Sequence, residues 1–220
     1  SDVGALRTRA EPVGDHYRIS GQKIYTTYGE HDLTDNIVHM VLARTPNAPP
    51  GTRGISLFIV PKFLVNEDGS LGQRNDLRAM SLEHKLGIHG SPTCVMQFGE
   101  NDGAIGYLVG EECRGMEYMF AMMNSARLAV GREGVGIAER AYQQAADYAR
   151  ERVQGRDAAD PAASDVPIIR HPDVRRNLMK MRALTEATRA LGCYVASQLD
   201  IARKHPDTEV RNSAQKRVDL

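Results

Sequence analysis

The sequence predicts an α+β protein: a β-barrel domain over residues 1–106, then long antiparallel helices of an incomplete four-helix bundle over residues 107–220. Three observations predict it. In the first half, short runs rich in β-branched and aromatic residues alternate with turn residues, as strands do. From about Glu112 the apolar residues recur at three- and four-residue steps, the period of a helix. A second stripe of that period opens after His171-Pro172-Asp173.

In chain order, Gly14-Asp15 separates Thr8–Pro12 from Tyr17–Ser20 as a hairpin turn would. Ile24–Tyr28, Ile37–Ala43, Ile55–Val60 and Thr93–Phe98 follow as strands, with a loop from Pro46 to Gly51 and a turn from Asn66 to Gly69. Strands at this spacing suggest a small barrel or sandwich. Met116, Met119, Phe120, Met123, Val130, Ile137, Ala141, Ala145 and Tyr148 predict one helix over about 112–153. It would be roughly 60 Å long at about 1.5 Å per residue. Val174, Leu178, Met181, Leu184, Leu191, Val195, Leu199 and Ala202 define a second helix, with Pro172 and Asp173 suited to its first turn. Pro206 stops it, and Asp207-Thr208 would cap a third. Two long helices cannot bury all their apolar surface on each other, so further helices or another subunit are expected. Both ends are expected to be internal to a longer chain, because Ser1 is no initiator and Lys216–Leu220 reads as mid-helix.

The bulk numbers exclude several classes. Twenty-eight basic residues balance twenty-eight acidic ones, so no net field favours nucleic acid or an anionic membrane. No apolar run approaches the roughly 20 residues of a membrane span, and no signal peptide opens the chain. Cys94, Cys113 and Cys193 are an odd, scattered set that argues against a disulfide framework and fits a cytoplasmic location.

Few residues stand out chemically. Arg127 falls on the apolar stripe of the first long helix, either snorkelling at its edge or buried against a carboxylate, carbonyl or ligand. Gly131, Gly134 and Gly136 each cost about 0.5–1 kcal/mol in a helix and imply tight helix packing or a close planar ligand. Tyr25 and Thr27, two apart on one strand, would share a face, as a barrel core or as the wall of a planar cofactor. Glu83, His84, His89 and Cys94 carry no metal-ligand spacing, so no metal is expected. No phosphate loop, dinucleotide fingerprint or nucleophile elbow is present.

Several segments together resemble the acyl-CoA dehydrogenase family. Ser1-Asp2-Val3-Gly4 is similar to the tail of its Thr-Glu-Pro…Gly-Ser-Asp signature. Gly21-Gln22-Lys23-Ile24-Tyr25-Thr26-Thr27 resembles the Gly-x-Lys-x-Trp-Ile-Thr strand, and Lys85-Leu86-Gly87-Ile88-His89-Gly90-Ser91-Pro92-Thr93 the Lys-Leu-Gly-x-Arg-x-Ser-x-Thr segment. Arg127 matches the arginine of the long helix, and Tyr148-Ala149-Arg150-Glu151-Arg152 its Tyr-Ala-x-x-Arg. Gly29–Thr34, Leu42–Gly54 and Pro61-Lys62-Phe63 resemble the branch of 3-methylmercaptopropionyl-CoA dehydrogenases and related long bacterial members.

The resemblance implies an FAD enzyme that removes the α-proton of an acyl-CoA thioester with a glutamate while the β-hydride passes to flavin N5. It implies a subunit of helical, middle β and helical domains, a homodimer or homotetramer, and an electron-transfer flavoprotein or similar acceptor. Ser1 would sit near the FAD pyrophosphate, Tyr25 beside the isoalloxazine, Thr26 with its backbone at the flavin edge, and Thr27 donating to flavin N5 or O4. Arg152 and Gln154 would meet the FAD of a partner subunit, although Gly155-Arg156 replaces the family's Phe-Gly. Asn124 and Arg127 fall on the substrate side, Asn124 near the pantetheine arm. Neither family position for the base holds a glutamate here: one is Ala126 and the other would lie beyond Leu220. The chain by itself is expected to be inactive. A flavin oxidase or monooxygenase of the same fold, and a non-catalytic binding homologue, are the alternatives.

Overall fold

The computed structural model describes residues 2–219 apart from 158, 161 and 163. The chain forms two compact units, Ser1–Met122 and Met123–Leu220. In the first unit, β1 (Arg9–Val13) and β2 (His16–Thr27) make a hairpin whose turn places Gly14 at a φ of 61°. The next strands are β3 (Val38–Ala43), β4 (Ser56–Pro61), β5 (Phe63–Val65), β6 (Leu71–Arg74), β7 (Leu77–Leu82), β8 (Thr93–Phe98) and β9 (Ala104–Leu108). Seven of them form one sheet in the order β3-β4-β9-β2-β8-β7, with β1 added on β2, while β5 and β6 form a separate hairpin.

β2 works in two ladders. Its first half pairs with β1 and, through Tyr17–Ile19, with β9; its second half, from Gly21, pairs with β8. The switch falls at Gly21, where φ is 135° and an added Cβ would lie 3.0 Å from Thr8 Cα. Only glycine suits such a backbone and such an approach. What reads in sequence as two strands, Tyr17–Ser20 and Ile24–Tyr28, is therefore one bent strand.

The core follows the period of two. Cys94, Met96 and Phe98 of β8 point inward with Val41 and Ala43 of β3, and meet Phe58, Val60, Ile19 and Ala104. Burying a side chain the size of Phe58 or Phe98 contributes about 1.5–3 kcal/mol. One polar side chain is built into this core's edge. Asn75 donates to Pro61 O (2.9 Å) and Ile105 O (2.8 Å), and its Oδ1 accepts from Ile105 N (2.8 Å) and Asp76 N (2.9 Å).

The expected barrel is not a closed one. No strand ladder joins β1 to β3; they meet at a single bridge, Arg9↔Arg44, through Ala10 N to Arg44 O (2.8 Å) and Arg44 N to Thr8 O (2.9 Å). The pairing stops there because β3 ends at Ala43 and Pro46 turns the chain away, while Pro12 leaves β1 without a donor at its far end.

α1 (Gly115–Glu151) starts in the first unit against β4: Gly115 N donates to Ile55 O and Cys113 N to Ser56 Oγ, both at 2.8 Å. Its 37 residues run about 55 Å. In the second unit follow β10 (Val153–Arg156), β11 (Asp165–Pro167), α2 (Pro172–Lys204) and α3 (Thr208–Val218). Asp207 caps α3 by accepting from Glu209 N at 2.8 Å and Val210 N at 3.4 Å. α2 and α3 bury Gln198 and Ala214 between them, with Arg217 donating to Gln198 at 3.0 Å. Glu139 of α1 accepts from Arg189 of α2 at 2.6 Å. The described residues hold two long α-helices and a shorter third, and Val130, Ile137, Met179, Leu184 and Leu191 stay exposed on the long ones. The class is α+β.

Asn75→Ala would strand four backbone groups of β4, β9 and the turn between β6 and β7. The expected loss is about 2–4 kcal/mol in the urea unfolding of the β unit, without change in its slope.

Candidate functional site

Tyr25, Thr26 and Thr27 lie in the first unit and Asn124, Arg127, Arg152 and Gln154 in the second. Ser1 lies outside the described residues. The β2–β8 register slips by one residue between Lys23 and Thr26, a bulge that holds Ile24 and Tyr25. The strict alternation expected of Tyr25 and Thr27 is therefore broken: Thr26 pairs with core-facing Cys94, Thr27 with Thr93, and Tyr25 takes a left-handed φ of 58°. Both Tyr25 and Thr27 are exposed, so neither belongs to the barrel core.

The strand end is under strain for an identifiable reason. Tyr28 also has a positive φ (53°), with its N–H donating to Pro92 O at 2.8 Å. Gly29 behind it is buried so closely that a Cβ would meet Met96 Sδ at 2.8 Å and Cys94 Cβ at 3.0 Å. A bulky aromatic at positive φ costs on the order of 1–3 kcal/mol and persists only where its surroundings hold it. Beyond it opens a cleft of about 350 Å³ lined by Tyr28, His31, Leu33, Glu83, His89 and Thr93. Lys85 folds the far wall by donating to Ile88 O (2.8 Å) and Ser91 O (2.5 Å). Leu33, Leu82, Leu86 and Ile88 leave its surroundings apolar and exposed.

Under this end of β2 the electrostatics are unusual. Burial lowers the Lys23 ammonium to about 8. His39 of β3 is buried, edge-on to Phe98 at 5.8 Å, with Nε2 lacking a partner among the described residues. Burial pushes its pKa below the usual value; Glu30 opposes that, while His31 and Lys62 add to it. Lys62 is itself paired with Glu30.

A second cleft, about 540 Å³, is lined by Arg18, Arg74, Arg78, Asp76 and Asp102 and holds no residue expected in the site. Its charges are committed within the protein: Arg78 to Glu100, Arg18 to Gly103 O and Arg74 to Leu77 O. Burial raises the Asp76 carboxyl, but donation from Asn101 N, Asn101 Nδ2 and Gly103 N outweighs it and holds the group below its ordinary range. Among the described residues no group of three or more His, Cys, Asp or Glu is placed to hold a metal. Cys94 lies in the core, away from such a role.

In the second unit Asn124 and Arg127 are exposed on α1, and an added Cβ at Gly131, Gly134 or Gly136 would meet nothing within 4 Å. Neither the buried form of Arg127 nor a close neighbour at the glycines is present within this chain. Arg152 directly follows the end of α1, and Gln154 lies in β10. Arg152 O accepts from Ile168 N at 2.8 Å, and Gln154 O bonds His171 Nε2 at 2.7 Å, which makes Nε2 the protonated nitrogen. Gly155 has a φ of 74° with the His171 ring against it. The bulge and the role of Tyr28 were not picked out from sequence, and the segments of His31 and Lys85 stood out there only by resemblance, not as walls of a cleft; the Tyr28-Gly29 pair at the end of the strand is the signal that marks the turn.

Among solved structures, Caenorhabditis elegans ACDH-11 in complex with C11-CoA is similar at a TM-score of 0.71 and 26% identity over 95% of this chain and 32% of that one. The family model for the acyl-CoA dehydrogenase C-terminal domain matches residues 113–216. The 3-methylmercaptopropionyl-CoA dehydrogenase of Ruegeria pomeroyi is 56% identical over 100% of this chain and 37% of its own length. A butyryl-CoA dehydrogenase of Syntrophomonas wolfei is 43% identical over 98% of the chain and 36% of its own length. The chain belongs to the acyl-CoA dehydrogenase family, whose members are FAD-dependent oxidoreductases. It spans a little over a third of the length of these curated relatives. Among the described residues no helix is long and apolar enough to cross a membrane.

His39 gives a pH test. The unfolded His takes a proton near 6.5, before the buried one does, so stability should fall as pH drops through 6.5 and level off below the folded pKa. His39→Leu should flatten the difference between denaturation midpoints at pH 7.5 and 5.5.

Proposed function

We propose that residues 1–106 are the middle β domain, barrel-like in form, and residues 107–220 the first part of the C-terminal helical bundle of an FAD-dependent acyl-CoA dehydrogenase. The observation that carries this is the exposed Tyr25-Thr26-Thr27 end of β2, held at a left-handed tyrosine beside a cleft, in a chain of this family. Those residues fit FAD. A flat ring system with a polar edge needs an exposed aromatic side chain, a hydroxyl and free backbone groups together, and the bulge leaves Tyr25 and Thr27 exposed for that.

When bound, FAD supplies the hydride acceptor for α,β-dehydrogenation of an acyl-CoA thioester. Tyr25 would pack against its ring, Thr26 would offer backbone groups to its edge, and the Thr27 hydroxyl would donate to the polar edge that becomes more negative when the group is reduced. Asn124 and Arg127 face substrate. Arg152 and Gln154 meet the cofactor of a partner subunit in a homodimer or homotetramer, with Gly155 leaving that contact without an aromatic side chain. The α-proton is removed by a glutamate outside this chain, so the chain alone is inactive. Electrons pass to an electron-transfer flavoprotein or similar acceptor. The three free cysteines support a cytoplasmic location.

The complete gene should yield a yellow protein that an acyl-CoA bleaches under anaerobic conditions. A colourless protein that takes up no FAD would sink the reading, and rapid reoxidation by air would favour an oxidase of the same fold. In that protein Thr27→Val should slow flavin reduction about tenfold, about 1.4 kcal/mol of transition-state stabilisation lost. An unchanged stopped-flow rate would remove Thr27 from the mechanism.

A further inference from the structure

The lysines of the chain divide by what they touch. Lys180, Lys204 and Lys216 are exposed on α2 and α3. Lys62 is half-buried but paired with Glu30, and Lys85 is half-buried but donates to Ile88 O and Ser91 O. Lys23 is half-buried as well, yet among the described residues no carboxylate, carbonyl or hydroxyl accepts from its ammonium. The register explains how it comes to lie there. Lys23 stands opposite Met96 in the β2–β8 ladder, so its side chain leaves the strand on the face where Met96 and Phe98 are buried. From Gly21 onward β2 pairs with β8 alone, since the β1 ladder reaches only to Ser20 and the β9 ladder to Ile19. The apolar stem therefore lies along the core, while the open edge of the strand keeps the amine from being sealed in.

An ammonium so placed gives up hydration and gains no partner, which favours the neutral amine. Burial is the sole cause that lowers Lys23 to about 8; no neighbouring charge contributes. At pH 7 roughly a tenth of such amines carry a free electron pair, against about one in 2,500 for an ordinary lysine. The lower basicity weakens each neutral amine as a nucleophile, as it does for thiols, and leaves a net gain of about tenfold. A half-buried amine of this kind is chemically matched to an electrophile that the exposed lysines meet mostly as ammonium.

We propose that Lys23 is an acylation site: its unpaired amine, at the open edge of β2, takes the acyl group of an acyl-CoA thioester and becomes an amide. The nitrogen attacks the thioester carbonyl, the C–N bond forms as the C–S bond breaks, and the proton lost from nitrogen ends on the released thiol of coenzyme A. No oxidant or reductant is needed. The choice of acyl donor rests on the proposed function. That reaction leaves the thioester bond intact, whereas this step breaks it, so the two are told apart by their products.

The test uses the protein of the complete gene and acetyl-CoA, which has no β-carbon and so cannot be dehydrogenated. Acetylated peptides are followed over time by mass spectrometry. Lys23 should be modified about fivefold or more faster than the mean of Lys180, Lys204 and Lys216. Its rate should climb with pH to about 8 and flatten above, while theirs keeps rising. In urea-unfolded protein the preference should vanish, because unfolding returns Lys23 to water. Lys23→Arg should remove that one acetylated peptide and leave the others unchanged. A smaller preference in the folded protein would overturn the proposal, as would a preference that survives unfolding. Acetylation at Lys23 in a protein that a longer acyl-CoA never bleaches defeats the proposed function and leaves the site standing. Bleaching with Lys23 unmodified defeats this inference alone.

Discussion

The bend in β2 at Gly21 is the constraint on which the β unit depends. One strand of 12 residues must leave the β1–β9 ladder and enter the β8 ladder without a break in the chain. The only backbone that does this here has a φ of 135° and lies on Thr8 with no space for a Cβ. The bend lets β2 contribute Ile19 to the same core as Met96 and Phe98 of the strand it meets next. It also sends the far end of the strand, Tyr25 to Thr27, out of the core.

What the strand end offers follows from that exit. With Lys23 and Thr26 turned toward the β8 core side, the extra residue of the bulge frees Tyr25 and leaves Thr27 opposite Thr93. The tight seat of Gly29 on Cys94 and Met96 then turns the chain sharply, and two tyrosines absorb the turn at positive φ. Strain of this kind is kept where the surroundings over-determine it, and here the surroundings are the Pro92 carbonyl and the β8 core. The cleft beside it is a consequence of the same turn, since its walls are the stretches on either side: Tyr28 to Leu33, and Glu83 to Thr93. The site is the place where two ladders end, rather than a cavity cut into the core.

Much of the fold was legible in the sequence. Thr93–Phe98 alternates cleanly and appears as the strand expected; the second helix begins and ends where Pro172 and Pro206 bracket it. The first long helix reads from about 112 in sequence but starts at Gly115, because Cys113 takes a φ of 63° and its N–H is held by Ser56. β7 and β9 were missed because Arg78 and Met80 project outward where polarity should alternate, and because Gly103 and Gly106 interrupt the run. β10 and β11 are too short to carry a pattern. In the site, Tyr25 and Thr27 stood out as a same-face pair that the strand's period left open between core and cofactor wall, and the resemblance gave them their roles. The bulge that exposes them is defined by pairing with a strand about seventy residues later, which no local pattern contains.

The central claim is that FAD contacts the exposed end of β2. Amide chemical shifts of threonine-labelled complete protein, followed while FAD is titrated into the apoprotein, address it directly. The account predicts large shifts at Thr26 and Thr27, and none at Thr208 at the start of α3. Saturating FAD that leaves Thr26 and Thr27 unmoved while other threonine amides shift would contradict it.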